Sequence, residues 1–411
     1  MALTLEQLFD EEWYLAENPG VAEAVARGRL TSGLFHFSRF GQFEGRDPNP
    51  IFNTAFYIDA NSGVAAAVGA EQLTAVQHFI ENGQFEGRDP SPFFDTAFYL
   101  DRYPEVAEAV DGGAISAIEH FVEDGQFEGR IPRLLFSDIY LFGDSLADIG
   151  NAFFFTGGVI PQSPPYFEGR FTNGPLWVEN LASLVEVDLD GDTNFAFGGA
   201  RTDNSNNLND RLPEGVPPLP GLEGQIDNFV RQVPQADPDA LYVIWAGAND
   251  YLNPTPAEVQ ETLGNLTGAI TGLAAVGARN FLVPNLPDLG ETPVGIDLGG
   301  ELQLGLSLLS EGHNAGLAAA LATIEQNPSL NIIALDSNSL IDRAIANPAD
   351  FGFTNVTDDF LTAGATNPDE FIFWDDVHPT ARSNEFIADT ALKTITDIPE
   401  LVSILEASPG F

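Results

Sequence analysis

The sequence predicts an α/β fold, a parallel sheet covered by helices on both faces, set behind an N-terminal all-α repeat region. Up to about Pro132 the chain repeats itself three times, and from Phe136 onward short apolar runs alternate with amphipathic stretches. In addition, small and polar residues follow directly on the apolar runs, Gly143-Asp144-Ser145 first among them. Parallel sheets form their binding sites at the carboxyl ends of the strands, which is where such residues fall.

The repeat region covers residues 1–132. "HFSRFGQFEGRDP" begins at His36, "HFIENGQFEGRDP" at His78 and "HFVEDGQFEGRIP" at His120, a constant spacing of 42 residues. Each is preceded by a related stretch: "FDEEWYLAENPGVAEAV", "FNTAFYIDANSGVAAAV" and "FDTAFYLDRYPEVAEAV". In the third of these Phe94, Phe98 and Val106 lie at spacings suited to one helical face. The expected unit, with copies at about 9–50, 51–92 and 93–132, is two short helices closed by a glycine turn and a proline. Three stacked copies can bury a core that one cannot. One histidine per unit is poor geometry for a metal, so His36, His78 and His120 are read as packing or capping residues. The repeats resemble acidic repeats found beside varied domains in bacterial surface and secreted proteins. A further "FEGR" at Phe167 lacks the upstream histidine–aromatic pair and is read as coincidence inside the second domain, 136–411.

In that domain "IYLF" (139–142), "ALYVIWAG" (240–247), "NFLVPNL" (280–286) and "NIIALDS" (331–337) read as buried parallel strands. The stretches 256–276 and 302–325, rich in Ala, Leu and Glu, read as the covering helices. "DLDGD" at 188–192 hints at calcium, but its glycine is misplaced for an EF-hand loop, and a turn is the better reading.

Composition narrows the function. The 411 residues include 61 acidic and 16 basic side chains, a formal charge of −45, and Lys393 is the one lysine. Such a surface repels phosphate backbones and anionic headgroups, which argues against nucleic acid as a partner. No apolar run reaches membrane-spanning length, and "MALTLEQLFDEEWYLAENPG" lacks the layout of a secretory signal peptide. There is no cysteine. Acidity, absent cysteine and repeat type favour an extracellular or cell-surface location by a leaderless route, with the cytoplasm as the alternative.

"YLFGDSLADIGN" (140–151) poses the central question, because Ser145 could be a nucleophile at a strand tip or the N-cap of a following helix. A serine nucleophile needs a base, an orienting acid and donors for an oxyanion. Outside the repeats the chain has two histidines. His313, in "EGHNAGLAAALATIE", has no carboxylate at a suitable spacing and reads as a surface or helix-terminal residue. His378 lies in "FIFWDDVHPTARSNEF", three residues after Asp375, close enough for a carboxylate to reach the ring Nδ1–H. "NFAFGGAR" (194–201) ends an apolar segment on two glycines that permit close main-chain approach. "WAGAND" (245–250) leaves Asn249 just past a strand, where its amide can donate and an ionised Asp250 cannot.

With these residues assembled, the chain resembles the GDSL group of SGNH hydrolases, which are esterases and lipases. The matching blocks are "FGDSLADIGN", "NFAFGGAR", "GAND" and "DDVHPT", in that order, and the likeness extends over 136–395 through "GRFTNGPLWVENLA" and "VPNLPDLGETP". The texture is that of the lecithinase- and hemolysin-like and plant-type lipases. The resemblance implies a flavodoxin-like three-layer α/β/α fold and a catalytic set of Ser145 as nucleophile, His378 as base and Asp375 as orienting acid. It also implies an oxyanion hole from the Ser145 and Gly199 N–H groups and the Asn249 side chain, with no metal or organic cofactor. Block spacing selects Gly199 over Gly198 and Asp375 over Asp376. A helix N-terminus behind Ser145 would further favour the oxyanion.

The expected substrate is a lipidic or short-chain carboxylic ester, with sugar acetates and acyl transfer to another alcohol as alternatives. The aromatic-rich "NAFFFTGGVIPQSPPYF" (151–167) is a candidate acyl pocket or packed core, and "NSNNLNDRLPEGVPPLPGL" (204–222) a candidate rim loop. A different class of function, surface or polysaccharide contact through residues 1–132 beside an accessory hydrolase domain, would need no esterase activity.

Overall fold

The computed structural model describes residues 3–396, apart from 71, 129, 190 and 254, so part of the "DLDGD" turn and the end of the 136–411 domain lie outside the described residues. It contains two compact units, one built on Met1–Leu135 and the other on Phe136–Ile395.

The first unit is helical, with three helices per copy where the sequence suggests two. They are Glu11–Glu17, Pro19–Ala26 and Gly33–Arg39 in the first copy. The second has Thr54–Ala60, Ser62–Gly69 and Ala75–Glu81, and the third Thr96–Arg102, Pro104–Asp111 and Ala117–His120. The extra break falls at Asn18, Asn61 and Tyr103, which leave helical backbone. In the outer copies the next residue is a proline, which starts a helix but disfavours helical backbone in the residue before it. Because of this break one helical face does not run through the stretch: Tyr99 is fully buried, whereas Phe98 is only partly so.

Tyr14, Tyr57 and Tyr99 are equivalent, and each hydroxyl lies 2.9 Å from the Nδ1 of His36, His78 or His120. The repeat histidines are thus partners of buried tyrosines. Neighbouring copies are tied by buried hydrogen bonds, Thr74 Oγ1 to Gln42 Oε1 (2.9 Å) and Ser116 Oγ to Gln84 Oε1 (2.8 Å). One apolar core, from Leu3 to Phe121, runs through all three copies.

The second unit holds a parallel sheet of β1 (Ile139–Gly143), β2 (Leu241–Trp245), β3 (Asn280–Pro284) and β4 (Asn331–Leu335), paired in that order. All four coincide with the apolar runs of the sequence. Residues 193–197 add a parallel edge on the far side of β1: the Leu141 and Phe197 N–H groups donate to the Thr193 and Gly143 carbonyls, and the Phe195 N–H to the Leu141 carbonyl. A smaller parallel pair, β5 (Asn355–Asp359) and β6 (Phe371–Phe373), stands apart.

Alternate side chains face opposite ways along a strand. Tyr140, Phe142, Tyr242, Ile244, Phe281 and Val283 meet the helices Leu222–Gln232, Val259–Ala275 and Gly300–Ile324. On the other face Trp245 packs edge-on against Trp177 of the helix Trp177–Val185, with 5.3 Å between ring centroids. The chain leaves β1 to one side for 193–197 and crosses to the other for β2. β1 therefore lies at the topological switch point, where a crevice opens at the strand ends.

Gly143 closes β1 with φ +129°, and an added Cβ would overlap the Trp245 carbonyl oxygen of β2. Gly143→Ala is therefore expected to destabilise this unit by about 2–4 kcal/mol, read as a lower urea midpoint of its unfolding.

Candidate active site

Ser145 sits in the turn after β1, buried to 7% exposure, and does not begin a helix. The following helix starts only at Asn151, and Asp148 is the residue that satisfies it. Its Oδ1 accepts from the Gly150 and Asn151 N–H groups at 2.9 and 2.5 Å, and its Oδ2 from the Ala152 and Gly198 N–H groups at 3.1 and 2.7 Å. The expected helix N-terminus behind the serine is thus corrected. Asp148 takes the capping donors, and the Ser145 hydroxyl is left to another partner.

That partner is His378. The Ser145 hydroxyl donates to Nε2 at 2.8 Å, and Nδ1–H faces both oxygens of Asp375, at 2.7 Å to Oδ2 and 2.9 Å to Oδ1. A carboxylate can only accept, so it fixes the proton on Nδ1 and leaves Nε2 as an acceptor. Asp375 Oδ1 also accepts from the Val377 and His378 N–H groups, at 3.0 and 2.7 Å. Asp376 is exposed and makes no such contact with the ring.

Burial would raise the Asp375 carboxyl, but the facing His378 ring and its hydrogen bonds, helped by Tyr166, hold it down at about 2. His378 ends above the ordinary imidazole range. Burial lowers it, and the charge and hydrogen bond of Asp375, with Asp144 and Asp376 adding, raise it further than burial lowers it.

Gly199 and Asn249 line the same cavity as the serine. The N–H groups of Ser145 and Gly199 have no acceptor among the described residues, whereas the Gly198 N–H is taken by Asp148. Gly199 has φ +75°, a left-handed backbone that glycine adopts freely. Asn249 follows β2, with its Nδ2 3.3 Å from Asp144 Oδ2. Its carbonyl accepts from Asn207 Nδ2 at 2.9 Å, while the Asn207 main-chain N–H donates to the Gly199 carbonyl at 2.8 Å. Asn207 therefore clamps the Gly199 and Asn249 blocks together. Asp144 is buried, which pushes its carboxyl up to about 7 against the opposing Leu146 N–H, His378 and Asn249.

These groups line one cavity of about 910 Å³, walled partly by Ile160, Leu208, Leu252, Leu286 and Leu289. The 204–222 loop edges it through residues 205–208, 210 and 211. The Phe153–Phe155 cluster does not line it: Phe154 and Phe155 point to solvent, and Tyr166 is the aromatic of that stretch on the wall. His313 is corrected as well. It lies in the middle of the helix Gly300–Ile324, fully buried, with Nδ1 2.9 Å from the Tyr251 hydroxyl, and burial holds it down at about 4.

The family model described as GDSL-like Lipase/Acylhydrolase matches residues 139–391, more than half of the chain and all of the elements that carry this site. The chain belongs to that family. Among its relatives, the phosphatidylcholine-sterol acyltransferase of Aeromonas hydrophila is 37% identical over 166 residues, covering 39% of this chain and 48% of that protein. The thermolabile hemolysin of Vibrio parahaemolyticus is 25% identical over 281 residues, 63% of each chain. Esterase EstA of Pseudomonas aeruginosa is 30% identical over 329 residues, 67% of this chain and 49% of that one. The chain thus spans between about half and two thirds of these relatives' lengths.

In this GDSL family member the sequence reading missed Tyr166, whose hydroxyl donates to Asp375 Oδ2 at 2.6 Å, as well as Asn207 and Asp148. The positions of "PPY" and "SNN" carried no local signal, since their partners lie 209 and 42 residues away.

By NMR of the ring nitrogens, His378 is expected to titrate above the ordinary imidazole range and His313 to stay neutral down to about pH 4. In Asp375→Asn the His378 midpoint should fall, because the charge that favours imidazolium is gone. A midpoint that stays put would mean that other groups set it.

Proposed function

We propose that the chain hydrolyses carboxylic esters through an acyl-enzyme, with Ser145 as nucleophile, His378 as general base and Asp375 as the orienting acid. The observation that carries this reading is the unbroken relay from Ser145 Oγ through the two ring nitrogens to Asp375, at 2.8 and 2.7 Å. His378 Nε2 takes the hydroxyl proton as Oγ attacks the ester carbonyl carbon. The carbonyl oxygen becomes an oxyanion facing the Ser145 and Gly199 N–H groups and the Asn249 amide. The imidazolium then returns its proton to the leaving alcohol. Water, deprotonated by the same ring, hydrolyses the acyl-enzyme. Asp375 supports the imidazolium at each turn. A neutral His378 is the working form, so kcat/KM is lost as the pH falls through its raised midpoint.

The apolar wall of the cavity fits the acyl group of a lipidic or short-chain ester. Acyl transfer to an alcohol in place of water is the second reading, favoured by the named activity of the Aeromonas relative. It would be seen as a new ester product when an acceptor alcohol is added.

A fluorophosphonate probe is expected to label Ser145 in the folded protein, with labelling abolished in Ser145→Ala and His378→Ala, as read by mass spectrometry of the modified peptide. Absence of label on folded protein would overturn the reading. Asn249→Ala should lower kcat by about 10²–10³, with KM little changed, in steady-state hydrolysis of a soluble nitrophenyl ester.

A further inference from the structure

The Asp375 carboxylate is held from two directions. Its Oδ1 is bound to its own loop, through the Val377 and His378 main-chain N–H groups. Its Oδ2 receives the His378 ring and, from outside that loop, the Tyr166 hydroxyl at 2.6 Å. The main-chain bonds anchor one oxygen but leave the other to swing about it, and a swing of Oδ2 would turn the imidazole away from Ser145. Tyr166 is set for the task by its surroundings. Its ring packs edge-on to Trp374 and Phe171, at 6.5 and 6.3 Å between centroids, and Phe171 in turn faces the His378 ring at 5.2 Å. The stretch 166–171 therefore touches both the acid and the base, and Tyr166 and Phe171 also belong to the cavity wall.

We propose that Tyr166 is a positioning residue for ester hydrolysis, its hydroxyl fixing Asp375 Oδ2 so that His378 stays aligned on Ser145. The proposal rests on the assignment of those three residues above. The phenol stays neutral, and so a donor, throughout the working pH range: burial raises it first, then the charge and hydrogen bond of Asp375, with Asp376 and Asp359 adding. The acidic groups facing the His378 ring are Asp375, Asp376 and Asp144. Of these Asp375 is the one that Tyr166 touches.

The test compares the wild-type chain, Ser145→Ala and Tyr166→Phe in the hydrolysis of 4-nitrophenyl butyrate over about pH 5–10, with NMR titration of the His378 ring in parallel. Tyr166→Phe should lower kcat about tenfold, the loss expected for one charge-assisted hydrogen bond, and leave KM within about twofold. Without the phenol sharing its charge, Asp375 favours the imidazolium more. Both the acid limb of kcat/KM and the NMR midpoint should then move to higher pH, by about half a unit or more.

Unchanged kcat with an unchanged midpoint would overturn the proposal. A rise in KM alone would also overturn it, since that is what a residue serving only as cavity wall would give. The NMR midpoint needs no turnover. A wild type no more active than Ser145→Ala would count against the hydrolase reading, while the ring titration still decides whether Tyr166 acts on the Asp375–His378 pair.

Discussion

The contact between Gly143 and the Trp245 carbonyl governs much of the site. β1 and β2 run parallel in register and end level, Gly143 opposite Trp245. The absence of a side chain at Gly143 lets the turn fold over the end of β2, and the Asp144 N–H then donates to the Trp245 carbonyl at 3.1 Å. That bond places Asp144 beside Asn249 and Ser145 at the crevice between the strands. Gly199 comes in by the same register, since Phe197, two residues before it, hydrogen-bonds to Gly143 from the other side. Three segments separated by about 50 residues each thus end at one level because the sheet's hydrogen bonds require it.

Around this frame, buried carboxylates act as acceptors that tie loops together. Asp148 joins the start of a helix to Gly198, and Asp250 joins the β2 turn to Thr202 through its N–H and hydroxyl, at 2.9 and 2.7 Å. Asp375 joins the histidine loop to Tyr166. Burying a charge is costly unless its oxygens are hydrogen-bonded, and all three have several donors. In a chain of net charge −45 most acids are solvated. Asp148, Asp250 and Asp375 do the opposite of repelling: each collects a donor from a distant segment. The helical unit reaches order differently, by repeating one tyrosine–histidine pair in each copy and one glutamine bridge between successive copies, so each joint is local to neighbouring copies.

What the sequence determined by itself is what depends on local pattern. The four strands were legible because parallel strands buried on both faces read as unbroken apolar runs. Ser145, the Gly198-Gly199 turn, Asn249 and an Asp–His pair stood out as candidates because strand ends are marked by glycine and polar residues, a spacing of three lets a carboxylate reach a ring, and the blocks that resemble the family occur in order. The tertiary structure decided the rest. The break at Asn18, Asn61 and Tyr103 adds a helix to each repeat, and the core selects Tyr99 over Phe98. His313, whose surroundings in sequence suggest a surface, is buried in mid-helix and meets Tyr251, which comes from another element 62 residues away. Which aspartate meets the imidazole, which glycine keeps a free N–H, and that Asn207 and Tyr166 belong to the site at all are settled by packing. Each depends on a hydrogen bond between segments far apart in sequence, and no local periodicity records where such partners will meet.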